Sequence, residues 1–240
     1  MLNILRDGDS MSMSYRINAF SAMSAMIGTL FLVLLIPGWG HAAPVFFSFS
    51  GSVSDVNGSV FTSGGSGANG FGSSLPLSGN FTFNSLTPDT LSSDATWGLY
   101  ANPIQKMTVK VGSYTTTFSP GSSVIQVINN PGLGDTYKLT VSGLAGNPVN
   151  GQLPNMFELE LTNPNGNTFT NDLLPTTPPS LSSFASNQWR LIFNGAGNRV
   201  QGALTSLVPL PAAVWLFAAG LVALVGLGSR GLTSRKDSQA

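Results

Sequence analysis

The 240-residue chain has no cysteine, a single histidine at His41, and few charges: Asp, Glu, Lys and Arg together make up 8% of it, against about 25% in an ordinary globular protein. Each shortage excludes a chemistry. Without cysteine there is no thiolate nucleophile, no disulfide framework, no Cys-based zinc cluster and no c-type haem attachment. With His41 as the only imidazole, a serine triad lacks its usual base, and neither a GxSxG elbow nor a phosphate-cradling glycine loop is present. Ten basic and ten acidic residues balance to zero, which removes the electrostatic basis for nucleic-acid binding. No metal and no cofactor is expected. What remains is apolar at 42%, enough for a packed core and too much for a disordered chain.

The N-terminal part reads as a signal peptide spanning residues 1–42. Arg16 precedes the apolar run Ala25 to Ile36, followed by the breakers Pro37 and Gly38 and the small residues Ala42 and Ala43. The run is too short for about 30 Å of hydrocarbon at 1.5 Å per residue, so a cleaved leader is preferred to a permanent span. Cleavage between Ala42 and Ala43 puts Gly40 and Ala42 at the two small-residue positions. Asp7 and Asp9 sit badly in a basic leader, which favours Met11 or Met13 as the start. Export through the general secretion machinery and signal peptidase follows.

Residues 208–240 carry a second address. The stretch Ala212 to Gly228 is uncharged, follows Pro211, and is succeeded by Arg230, Arg235 and Lys236. At 1.5 Å per residue it reaches about 26 Å, near the lower limit for a membrane helix. The positive-inside bias leaves the tail 229–240 cytoplasmic and residues 43–207 outside, the topology the leader also imposes. Pro209 and Pro211 bias Val208 and Leu210 toward extended backbone. On the residues alone, that segment is equally an extended protease site or a stop between strand and helix.

The run Val208-Pro209-Leu210-Pro211-Ala212-Ala213-Val214-Trp215-Leu216-Phe217, followed by a glycine-containing apolar segment and a basic tail, resembles the PEP-CTERM sorting signal of Gram-negative bacteria, with Leu210 where that family's name has glutamate. The resemblance covers only this C-terminal segment. It implies transient retention in the inner membrane, recognition by an exosortase (an integral-membrane protease or transpeptidase), and a host that makes exopolysaccharide. The phrases Phe49-Ser50-Gly51-Ser52-Val53 and Gly79-Asn80-Phe81-Thr82-Phe83 loosely resemble exported domains that carry this signal.

Between the two addresses, apolar residues alternate at period two and no segment sustains a 3.6 period, so an all-β exported domain is expected, an antiparallel β-sandwich or jelly-roll-like fold of eight to ten short strands. Strands are predicted around Val45 to Phe49, Leu75 to Ser85, Met107 to Val111, Tyr114 to Phe118, Val124 to Ile128, Tyr137 to Val141, Phe157 to Leu161, Trp189 to Phe193 and Val200 to Leu204. The Gly/Ser-rich stretch Ser54 to Ser74 and the Pro/Thr/Ser-rich stretch Pro175 to Ser186 read as long surface loops.

Candidate chemistry in this domain is sparse. Glu158 and Glu160 share one strand face, a spacing admissible for a glycoside hydrolase, but Phe157, Leu159 and Leu161 claim the opposite face as core and leave the glutamates on a solvent face. Asn129, Asn130 and Asp135, and Asn163, Asn165, Asn167 and Asp172, offer oxygens suited to Ca²⁺, although Asn-Pro-Asn-Gly is first of all turn chemistry. Trp97 and Tyr100, in a loop-like stretch, are the candidate glycan contacts, whereas Trp189 shares a face with Leu191 and Phe193 and belongs to the core. The expected function is a non-enzymatic envelope or matrix protein, sorted by an exosortase and associating with extracellular polysaccharide. The alternatives are a secreted carboxylate-dependent glycoside hydrolase and a surface protein that keeps its anchor.

Overall fold

The computed structural model describes residues 44–119 and 121–209. The expected leader 1–42, the residue Ala43 and the segment 210–240, with the expected membrane stretch and basic tail, lie outside the described residues. Among the described residues no helix is long and apolar enough to cross a membrane.

The alternation seen in the sequence becomes β-structure throughout. The strands are β1 (Val45–Asn57), β2 (Ser66–Gly67), β3 (Gly70–Phe71), β4 (Pro76–Phe83), β5 (Trp97–Ala101), β6 (Ile104–Val111), β7 (Tyr114–Phe118), β8 (Ser123–Asn130), β9 (Gly134–Ser142), β10 (Leu144–Gly146), β11 (Pro154–Asn163), β12 (Ser186–Phe193) and β13 (Arg199–Pro209). In β9, Tyr137, Leu139 and Val141 are fully buried while Thr136, Lys138 and Thr140 are not, as the period of two requires. Single 3-10 turns occur at Gly58–Val60 and Leu181–Ser183.

Eleven strands form one antiparallel sheet in the order β10-β7-β6-β4-β1-β13-β12-β11-β9-β8-β5. The first and last strands of the domain therefore pair with each other in the middle of the sheet. The sheet curls over its own core. Tyr114 of β7 and Phe193 of β12 are five strand steps apart along the sheet, about 24 Å at 4.8 Å per step, yet their ring centroids lie 5.8 Å apart. Near one edge strand, the Gly143 N–H donates to the Asn155 carbonyl at 3.1 Å, tying the β9–β10 connection to the start of β11.

Register shifts in the β1–β13 pair, between Ser50 and Gly51 and between Val53 and Asp55, supply the extra bend such a curl needs. The backbones come very close there: a Cβ on Gly202 would sit 1.9 Å from the Ser52 carbonyl oxygen. At Gly79 of β4 the reason for glycine is different. The Phe49 ring of the paired residue lies over it, 2.3 Å from where a Cβ would be, so the aromatic ring covers the gap left by the missing side chain.

The core is aromatic. Phe47 packs edge-on against Phe81 and Phe83 at 5.4 and 5.2 Å, and Phe157 stacks on Trp189 at 6.5 Å. Trp189 is fully buried, as its sequence face predicts.

Several expectations need correction. The stretch Ser54 to Ser74 is not simply a surface loop: β1 continues to Asn57, and the following turn and the small β2–β3 hairpin fold back to bury Val60 and Phe71 completely. Trp97 to Tyr100 is not a loop but edge strand β5, paired with β8. The last strand extends beyond Leu204 to Pro209, past the expected boundary at Leu207. Pro175 to Ser186 does run as a connection, but Phe184 anchors it from below, buried and packed on Phe169 at 5.8 Å.

Candidate functional site

Strand β13 carries Val208 and Pro209, the first two residues of the segment expected to be a C-terminal signal. Its ladder with β1 closes on the pairs Phe49–Leu207, Ser48–Val208 and Phe47–Pro209. Leu207 turns inward and is buried, while Val208 is 46% exposed and Pro209 is exposed. Proline lacks a donor and is tolerated at such a strand end. On the other side, β12 pairs with β13 only from Arg199 to Gly202. Beyond Gly202 no second strand joins β13 among the described residues, and the Leu204 N–H is taken instead by the Asn187 side-chain oxygen at 3.0 Å. Where the two strands part, an open hollow of about 360 Å³ is lined by Ser54, Ser186, Asn187, Gln188 and Gln201, all uncharged. The sequence reading missed Asn187, whose role depends on a strand 17 residues away in the chain.

The pair Trp97 and Tyr100 is split by strand parity. Residues three apart on a strand point to opposite faces. Trp97 is 40% exposed on the outer face, beside Ile128 of β8. Tyr100 is 3% exposed and faces the core, its hydroxyl donating to the Asp172 carbonyl at 2.9 Å. Burial first, then the nearby charges of Asp89 and Asp172, push its pKa up to about 12. Tyr100 offers no face to a sugar ring, and Trp97 alone remains.

Glu158 and Glu160 lie on the outer face, as expected, inside a cross-strand ladder of charge. The Lys138 ammonium lies 3.5 Å from Glu158 and 3.3 Å from Glu160, and the Arg190 guanidinium 3.3 and 3.9 Å from the same two carboxylates. Two cations on flanking strands hold the two anions, and the four charges cancel.

The candidate calcium ligands fasten loops. Asp135, 1% exposed, accepts from the backbone N–H of Asn130 at 3.2 Å, of Phe169 at 2.9 Å and of Thr168. Asn163 donates to the Asn167 and Thr168 side chains at 2.7 and 2.8 Å and accepts from the Asn165 N–H at 3.0 Å. With its amide turned to match its neighbours, Asn129 bonds the Phe169 carbonyl and the Asn171 N–H. The connection from β11 to β12 is thereby tied to the β8–β9 hairpin. Among the described residues no three His, Asp or Glu side chains stand close enough to hold a metal ion. These bonds are the turn chemistry that the sequence put first for these residues, and turn capping and calcium ligation use the same side chains.

No family model matches the chain, and comparison with curated proteins and with solved structures found no match.

Proposed function

We propose that this chain is an exported all-β protein, delivered to the inner membrane by its C-terminal segment and handed there to an exosortase. After processing near Val208 to Pro211, the domain serves outside the cell as a non-catalytic envelope or matrix component in contact with polysaccharide. In this reading the facing halves of the curled sheet act as the two layers of a sandwich- or jelly-roll-like domain. The observation that carries the proposal is the end of β13, where Val208 and Pro209 are extended and exposed directly before Leu210 and Pro211. Proteases take substrates as extended strands paired along one backbone edge, and β13 beyond Gly202 has such an edge. The ion-paired state of Glu158 and Glu160 supports a non-catalytic role over the hydrolase alternative, and the exposed Trp97 ring supports a sugar contact.

Mass spectrometry of the C-terminus in exosortase-positive cells and in cells lacking the enzyme tests the proposal. A mature chain ending near Pro211 only in the positive cells is expected. An intact C-terminus in both means that the segment is a lasting anchor and overturns the proposal. Polysaccharide hydrolysis by the full chain that is lost in Glu158→Gln would reinstate the hydrolase.

A further inference from the structure

The strand directions decide which parts of the domain lie next to the place where the chain leaves it. At the end of the sheet where β13 terminates at Pro209, β12 begins, β11 ends, β9 begins and β8 ends. The tip of the β8–β9 hairpin and the connection from β11 to β12 therefore both belong to this end. Each carries an exposed leucine: Leu133 is 80% and Leu173 65% exposed, the first and third most exposed of the large apolar side chains, and Val208 of β13 is 46% exposed. Single exposed leucines are ordinary on a protein surface, but several in segments at the end from which an apolar segment departs have a direction. The tips are held firmly, because Asp135 ties the hairpin to Thr168 and Phe169 of the longer connection. None of the residues 129–136, 163–187 or 203–209 is Lys or Arg, while Asp172 sits beside Leu173.

We infer that this end of the domain rests on the bilayer surface while the chain is anchored, with Leu133 and Leu173 in apolar contact with lipid. The inference depends on residues 212–228 being a membrane span. Two residues separate Pro209 from Ala212, so a span starting there leaves at most about 10 Å of extended chain between sheet and membrane. Leu133 lies three strand steps from β13, about 14 Å, within reach of a surface met at that distance. Because the two loops and the end of β13 carry no cation, their contact comes from apolar insertion and not from attraction to anionic lipid. Trp97, the first residue of β5, pairs with Ile128 close to the end of β8, so it belongs to this end of the sheet as well.

The absence of cysteine makes the test direct. The full chain, reconstituted into phosphatidylcholine vesicles, is labelled with an environment-sensitive fluorophore at one of Leu133→Cys, Leu173→Cys, Leu153→Cys at the opposite end of the sheet, or Leu221→Cys within the apolar stretch. Labels at 133 and 173 should shift to the blue and be quenched by spin-labelled lipid, unchanged by high salt, whereas the label at 153 should do neither. If 221 is quenched while 133 and 173 behave like 153, the span stands and the resting contact is overturned. If 221 is not quenched, the span reading itself fails and takes the contact with it. Contact at 133 and 173 that appears only with anionic lipid also overturns the apolar mechanism.

Discussion

Phe49 of β1 and Phe157 of β11 stack with ring centroids 5.4 Å apart and planes 23° from parallel, although three strand steps separate them along the sheet. This contact joins the facing halves of the curl, and Trp189 extends the stack behind Phe157.

Removing one member should be severe. Phe157→Ala is expected to lower stability by about 3–5 kcal/mol, the range for emptying a buried aromatic site, read from the midpoint of chemical denaturation. A loss below about 1 kcal/mol would mean that the halves are held together elsewhere.

The central seam depends on glycine. An alanine at Gly202 must displace the Ser52 backbone rather than a movable side chain, so Gly202→Ala should cost about 1–3 kcal/mol by overpacking. Amide exchange along β1 should accelerate in the variant, most of all near Ser52 and Val53, and unchanged exchange there would refute the tight approach.

Alkali should unfold the domain. Burial pushes Tyr114 up to about 12, Tyr100 reaches about 12 as well, and burial raises Tyr137 further. A phenol that keeps its proton in the folded state and loses it near 10 in the unfolded chain contributes stability that is complete below pH 10 and is lost as pH rises through 12. Titrating the tyrosine ring carbons by NMR should show these three residues ionising only as the sheet melts; phenolates at pH 10 in a folded domain would contradict this.

Tyr137 carries a second consequence. Its hydroxyl is buried without a hydrogen-bond partner among the described residues, and an unsatisfied buried donor costs about 1–3 kcal/mol. Tyr137→Phe should raise the melting temperature and shift the alkaline transition upward, and a fall in stability would point to an unseen partner.

For the polysaccharide contact, Trp97→Ala should weaken binding of the host's exopolysaccharide to the full chain about 3- to 10-fold, the worth of one stacked ring, by fluorescence or calorimetric titration. Tyr100→Phe should leave that affinity unchanged, because the ring is in the core. An unaltered affinity in Trp97→Ala removes Trp97 from the site.

The core was legible wherever apolar residues alternate along a run. Phe157, Leu159 and Leu161, and likewise Trp189, Leu191 and Phe193, declare their face by period two, and all six are buried. Val60 and Phe71 were not legible, because each is isolated in a glycine- and serine-rich stretch and is carried inward by a turn and a two-residue hairpin rather than by a repeating pattern. Nor was the pairing of β1 with β13: partners such as Ser50 and Thr205, whose hydroxyls bond at 3.0 Å across 155 residues, leave no local trace. Of the site, the parity separating Trp97 from Tyr100 was present in the sequence, but only recognition of β5 as a strand makes it count. The edge of β13 beyond Gly202, which no second strand joins among the described residues, became visible only with the third dimension.

The position of β13 also sets the timing of folding. A chain exported N-terminus first delivers β1 long before its central partner, so the sheet stays open along the middle until Pro209 has emerged. The apolar stretch that would halt movement begins at Ala212, almost immediately afterwards. With the proposed export and membrane span, translocation would stop just as the final seam becomes able to close, and the last folding step would take place at the membrane face. A shortened or slipped halt would leave β1 with an unpaired edge, the feature that invites aggregation.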